Sequence, residues 1–117
     1  MYSDPELSGK TATVNDTITV TVNIRNASAF SGDEVVQLYV KQPAGIEDQP
    51  LLALKAFARV YVQANKTEKV ALRLPVSQLR HFEPKINDYE VAKGSYELMI
   101  GAASDDIRLR SSLEIRP

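Results

Sequence analysis

Ile18-Thr19-Val20-Thr21-Val22-Asn23-Ile24-Arg25 alternates apolar and polar residues without a break. Successive side chains of an extended chain point to opposite faces, so a period of two marks a strand with one face in a core and the other in solvent. The pattern recurs on either side of this stretch. Downstream, Val36, Leu38 and Val40 repeat it after the turn Ser31-Gly32-Asp33, Val60 and Val62 repeat it briefly, and Val70, Leu72 and Leu74 carry it to Pro75. Tyr96, Leu98 and Ile100 follow Lys93-Gly94, and Ile107, Leu109, Leu113 and Ile115 follow Ala103-Ser104-Asp105-Asp106, which predicts a closing hairpin. A weaker lead strand is expected over Tyr2–Leu7, with short pieces near Ala12–Val14 and Asp88–Val91. Val76–Phe82 has room for one helical turn at most. About seven strands without crossover helices predict an all-β antiparallel sandwich. If about 20 apolar side chains reach its core at roughly 1.5–3 kcal/mol each, the gross hydrophobic term is tens of kcal/mol. Gln42–Leu54, with two prolines and Gly45, reads as the longest loop and as the segment where binding is sought first.

The 117 residues suit one domain over 1–117, and a composition of 44% hydrophobic and 25% charged residues is that of a globular protein. A formal charge of −1 with interleaved signs offers no field to draw nucleic acid or an anionic membrane surface, so neither is expected as a partner. No run approaches the roughly 18 apolar residues of a membrane span. Met1-Tyr2-Ser3-Asp4-Pro5 does not read as a signal peptide, so a soluble chain is expected. With no cysteine and one histidine the chain lacks the ligands of a zinc site, and the missing cysteines leave its compartment open. No cofactor is expected.

The run Gly32-Asp33-Glu34-Val35-Val36-Gln37-Leu38-Tyr39-Val40 resembles the signature strand of the fibronectin type III-like C-terminal domain of glycoside hydrolase family 3. Leu54-Lys55-Ala56-Phe57-Ala58-Arg59-Val60 is similar to that family's Leu-Lys-Gly-Phe-x-Arg-Val strand. Gly94-Ser95-Tyr96-Glu97-Leu98-Met99-Ile100-Gly101 resembles its Gly-x-Tyr-x-Val-x-Val-Gly strand, and Ser104-Asp105-Asp106-Ile107-Arg108-Leu109 the turn that follows. The segments occur in family order over nearly the whole chain, and Tyr2-Ser3-Asp4 resembles the lead strand. The resemblance implies an immunoglobulin-like sandwich excised from the C-terminus of a larger enzyme, of the β-glucosidase or β-xylosidase type. Such a parent removes β-linked glucose, xylose or a related sugar from a non-reducing end, and a typical one is periplasmic or secreted. Its aspartate nucleophile and glutamate acid/base belong to upstream domains, and neither is carried over here. The chain departs from the family at Asn26-Ala27-Ser28, usually Asn-x-Gly, and at Ala64-Asn65, usually Pro-Gly. Those turns are expected to change conformation, because serine and asparagine reach positive φ less easily than glycine. Tyr89 stands near a usual tryptophan, so local packing there is expected to differ.

Chemistry of the chain's own would need converging groups. Glycoside hydrolysis uses two carboxyl groups about 5 Å apart, or roughly 6.5–9.5 Å apart when inverting. The nearest candidates, Asp105 with Asp106 and Asp88 with Glu90, read as turn residues that bond the local backbone. His81 reads as packing or surface beside Phe82, and Asp105, Asp106 and Asn87 lack the spacing of a calcium loop. Asn15-Asp16-Thr17, Asn26-Ala27-Ser28 and Asn65-Lys66-Thr67 match the N-glycosylation pattern but read as turns. The chain alone is therefore expected to be non-catalytic.

If Val36, Leu38 and Val40 point inward, alternation turns Val35 and Tyr39 outward, and the same parity turns Tyr61 outward beside Val60 and Val62. Three accounts fit outward Val35, Tyr39 and Tyr61. They form an interface with the upstream catalytic domains of a parent hydrolase, since aromatic residues are enriched at such contacts. They form a platform for an oligosaccharide, as in a carbohydrate-binding or adhesion module acting without the parent. Or they are ordinary strand residues favoured by β-propensity. The absence of tryptophan weighs against the platform. An accessory domain that packs on and stabilises the catalytic domains of a family 3 glycoside hydrolase is the function expected.

Overall fold

In the computed structural model, which describes residues 1–41, 43, 53–83, 85–103 and 105–116 with the backbone alone at 81–83, the stretch at Ile18 lies in the middle of a sheet. The strands are β1 (Tyr2–Leu7), β2 (Thr11–Ala12), β3 (Thr17–Arg25), β4 (Gly32–Lys41), β5 (Ala53–Val62), β6 (Thr67–Pro75), β7 (His81–Glu83), β8 (Asp88–Glu90), β9 (Gly94–Ala103) and β10 (Asp106–Ile115). One sheet has the order β1-β3-β6, the other β2-β10-β9-β4-β5, and β7-β8 form a separate hairpin. Central β3 pairs with β6 in unbroken antiparallel register from Thr17 opposite Pro75 to Arg25 opposite Thr67. The two-residue β2 runs parallel to the end of β10, and the other described pairs are antiparallel.

Seven of these strands have six or more residues, which is the sandwich expected. The others are the short β2, β7 and β8. The helical turn expected after Pro75 is a single 3-10 turn, Val76–Leu79. Of the loop expected over Gln42–Leu54, residues 42 and 44–52 lie outside the described residues. Its boundary is corrected: Ala53 and Leu54 already belong to β5.

Between the sheets, Ile18, Val20, Val22 and Ile24 meet Val36, Leu38 and Val40, with Val70, Leu72, Leu74, Leu98, Ile100 and Leu113 completing the layer. Twenty described hydrophobic residues are buried. The largest fully buried side chain is Tyr96, whose hydroxyl donates to the Ala92 carbonyl at 2.7 Å. A tyrosine near the start of a strand that bonds backbone a few residues upstream is the tyrosine corner of immunoglobulin-like sandwiches. Desolvation pushes this phenol up to about 12.

Two turns repay comparison with the expectation of altered conformation. Asn65 does occupy the left-handed region, φ 60°, so there the turn keeps a backbone that glycine adopts freely and asparagine tolerates. At 26–28 the side chain does the organising: Asn26 donates to the carbonyls of Phe30 (2.7 Å) and Val62 (3.0 Å), and accepts from the Ser28 amide (3.0 Å) and hydroxyl (2.8 Å). Asn26 thereby ties the β3–β4 connection to the end of β5.

Candidate interaction face

The outward face of β4 and β5 is set by their register. Tyr61 lies opposite Asp33, Arg59 opposite Val35, Phe57 opposite Gln37, and Leu54 opposite Tyr39. Between the last two rows β4 advances by two residues and β5 by three, which makes a bulge containing Lys55. The bulge returns Leu54 to the outward row, so four outward β5 residues line up against four of β4.

On β5 the usual size order is inverted. Working back from buried Val62, the inward positions are Val60, Ala58 and Ala56, all partly buried against the core. The outward positions hold Phe57, 70% exposed, Tyr61, 58% exposed, and Leu54, 48% exposed. With about 200 Å² per aromatic residue, Phe57 and Tyr61 alone leave roughly 250 Å² in solvent. That is a large share of the apolar patch found on an ordinary monomer.

Across the same face, Tyr39 lies opposite Met99 of β9, and Met99 is buried although its neighbours Leu98 and Ile100 take the core side. The Arg110 guanidinium approaches the Met99 sulfur at 3.5 Å and pairs with Glu97 at 2.7 Å. Tyr39 donates its hydroxyl to Gln37 on its own strand and is half-buried. The face therefore grades from a satisfied polar and methionine cover on β9 and β10 to bare aromatic and aliphatic groups on β5.

Val35, Tyr39 and Tyr61 do lie on this one face. Tyr39 and Val35, four residues apart on β4, are separated by about 13 Å, so they are parts of a strip and not of a pocket. Phe57, Leu54 and Arg59 complete the strip and were not singled out by sequence reasoning. The available signal was parity, because carrying the inward set back from Val62 reaches two alanines and leaves Phe57 outside.

A polar cluster joins the two sheets near the N-terminal end of β4. The Tyr2 hydroxyl donates to Glu34 at 2.6 Å, the Arg108 guanidinium stacks 4.6 Å from the Tyr2 ring centroid, and Arg108 pairs with Asp106 at 3.0 Å. Burial first, and the Glu34 carboxylate second, hold the Tyr2 phenol well above its usual range. Hydrogen bonding to Arg108 holds the Asp106 carboxyl below the usual carboxylate range. Every charge here has a partner within the domain, which makes the cluster a clamp between β1, β4 and β10.

The remaining candidates do not converge. Asp105 is exposed next to the committed Asp106. Asp88 accepts from the Tyr89 amide at 2.7 Å, the local backbone bond expected of it. Asn87 sits in a left-handed turn at φ 52°, and the His81 backbone pairs with that of Glu90. Tyr89 is 60% exposed with the Arg80 guanidinium 5.4 Å from its ring. Asn15 and Asn65 lie in turns. Among the described residues no group of three or more potential metal ligands exists, and no helix is long and apolar enough to cross a membrane.

A sequence profile of the fibronectin type III-like domain matches residues 34–104. Thermostable β-glucosidase B of Acetivibrio thermocellus is 31% identical over 114 residues, covering 97% of this chain. A β-glucosidase of Rhizobium radiobacter is 33% identical over the same share, and a β-xylosidase of Formosa agariphila is 30% identical over 92%. The chain spans only 15%, 14% and 15% of the lengths of these three relatives. Among solved structures, β-D-glucoside glucohydrolase from Trichoderma reesei superposes with a TM-score of 0.87 at 26% identity, over 99% of this chain and 18% of that one. β-Glucosidase 3B from Thermotoga neapolitana, solved with α-D-glucose, gives 0.85 at 33% identity, over 97% and 15%. The chain belongs to the fibronectin type III-like domain family, in the form carried by β-glucosidases and β-xylosidases of glycoside hydrolase family 3.

Proposed function

We propose that residues 1–117 are a non-catalytic accessory domain from the C-terminal part of a family 3 glycoside hydrolase, and that the domain packs on and stabilises the upstream catalytic domains. The parent activity is exo-acting hydrolysis of β-linked glucosides or xylosides, and the relatives' names, β-glucosidase and β-xylosidase, support the choice of substrate. The contact runs along the outward face of β4 and β5, through Val35, Tyr39 and Tyr61 together with Phe57 and Leu54.

The observation that carries this reading is the inversion on β5: alanines face the core while Phe57, Tyr61 and Leu54 face solvent. A domain acting alone gains nothing by exposing its largest apolar groups, whereas burying Phe57 against a second domain contributes about 3 kcal/mol at 25 cal/mol per Å². An exposed apolar strip of this kind supports a contact there.

The test is a comparison of contexts. Phe57→Ser with Tyr61→Ser should leave the unfolding free energy of the 117-residue chain within about 0.5 kcal/mol, because exposed positions away from special features are nearly neutral. In the complete enzyme the same pair should lower the unfolding temperature and detach the domain as a separate transition. Equal effects in both contexts would remove the packing role. Saturable NMR shifts at Tyr39, Tyr61 and Phe57 on titration with cello- or xylo-oligosaccharides would instead make the strip a glycan platform.

A further inference from the structure

Strands β5 and β6 are the facing edges of the two sheets, since each pairs with a single described neighbour. Between them runs a groove of about 610 Å³ lined by Leu54, Ala56, Phe57, Ala71, Leu72 and Pro75 among others. Its charged lining is of one sign. Lys55 and Arg73 belong to it, no carboxylate does among the described residues, and the adjoining hollow past Leu54 and Gln78 adds Arg80. Arg80 already faces the Tyr89 ring. Lys55 and Arg73 have no ion pair or side-chain hydrogen bond among the described residues, although the domain pairs Arg59, Arg108, Arg110 and Arg116 with acids.

Lys55 is also the bulged residue of β5, and it is partly buried. An arriving carboxylate gains a charge-assisted hydrogen bond from a cation that has no other charged partner among the described residues. The edges contribute a second kind of contact. An edge strand offers unpaired N–H and C=O groups to an added strand, and the bulge and Lys55 restrict which segment can add. Apolar walls, two cations without an acidic partner and a strand edge without a neighbour, both among the described residues, together select an extended peptide with apolar side chains and a carboxylate.

From this charge complementarity we infer that the β5–β6 groove seats an extended, carboxylate-bearing segment of the enzyme's catalytic portion, with its carboxylate held between Lys55 and Arg73. The inference rests on the proposed packing role and adds to it the place and chemistry of one specific contact. Phe57 and Leu54 serve both surfaces, so the seated segment is continuous with the contact along the outer strip.

Zero-length carbodiimide coupling in the complete enzyme tests it, because the reagent joins an amine to a carboxylate only where the two touch. The expected product is Lys55 joined to an aspartate or glutamate outside residues 1–117. It should disappear in Lys55→Arg, which keeps the charge but cannot couple, while the other crosslinks persist. Lys55 left uncoupled, coupled within residues 1–117, or coupled to a second copy of the enzyme would overturn the inference. Protection of Lys55 by an added cello- or xylo-oligosaccharide, with no peptide crosslink, would overturn it in favour of a glycan. The paired serine substitutions at 57 and 61 keep the two readings apart. If those substitutions act only in the complete enzyme and Lys55 stays uncoupled, the packing role stands and the groove contact falls.

Discussion

Replacing Gly101 by alanine should destabilise the domain more than any other glycine-to-alanine change made at a described position with φ below zero. Gly101 lies opposite Ile107 at the point where the β9–β10 register shifts, and a Cβ added there would lie 2.2 Å from the Asp106 carbonyl oxygen and 3.0 Å from the Asp106 carbonyl carbon and the Ile107 Cα. All three are backbone atoms, so no flexible side chain can yield. Reaching an ordinary 3.4 Å contact moves that carbonyl by about 1.2 Å, enough to open the bulge and disturb the Asp106–Ala103 pairing. Overpacking of this kind costs roughly 1–3 kcal/mol, and a lost backbone hydrogen bond adds about 1 kcal/mol. A loss of about 3 kcal/mol is therefore expected, against a total domain stability of roughly 5–15 kcal/mol. Urea unfolding followed by circular dichroism measures it, with a midpoint shift at constant slope, and the thermal midpoint should fall by about 12 °C for a domain of this size. Gly32→Ala is the internal control, since nothing lies within 4 Å of its added methyl. A Gly101→Ala protein within about 0.5 kcal/mol of the parent would refute the bulge geometry, because that is the range of a neutral surface change.

Asn26→Ala should cost about 1 kcal/mol, because it removes the part-buried bond to the Val62 carbonyl while the Ser28 hydroxyl still reaches the Phe30 carbonyl at 2.8 Å; chemical denaturation reads the loss. A double-mutant cycle of Tyr2→Phe with Glu34→Ala should give a coupling of about 1–2 kcal/mol, and a coupling near zero would dissolve the clamp between the sheets. Tyr96→Phe should cost about 1 kcal/mol for the bond to Ala92. The folded-state pKa of Tyr96 is raised from 10.0 to about 12, so its contribution is complete below pH 10 and is lost as pH rises through about 12. Tyr2 shifts in the same direction, and an alkaline stability profile should therefore flatten in the Tyr96→Phe protein and flatten further with Tyr2→Phe.

The strands that a single period of two describes were legible from the residues alone. Ile18 to Ile24, Val36 to Val40 and Val70 to Leu74 hold large apolar groups at every second position, and these positions are buried. Strand β5 was only half legible. Its inward residues Ala56 and Ala58 are too small to raise an alternating signal, and the bulge at Lys55 shifts the parity of everything before it. The start of the strand therefore reads as part of the preceding loop, and the outward place of Phe57 carries no alternating signal. Tyr39 and Tyr61 could be placed by parity because each is flanked by valine or leucine at inward positions. The groove and the Asn26 hub are matters of tertiary proximity. One needs β5 and β6 to be facing edges, and the other needs Val62 to approach residue 26 across 36 positions of chain, which no local pattern encodes.

If the domain packs on the catalytic portion as proposed, the outer β4–β5 face is covered in the complete enzyme. Hydroxyl-radical footprinting with peptide-level mass spectrometry reads this directly, by comparing the oxidation of Phe57, Tyr61 and Leu54 in the 117-residue chain and in the full-length protein. All three should oxidise readily in the chain alone and be strongly protected in the full-length protein, with exposed Phe30 on the β3–β4 connection as an internal reference. Equal oxidation of Phe57 and Tyr61 in the two forms would contradict it.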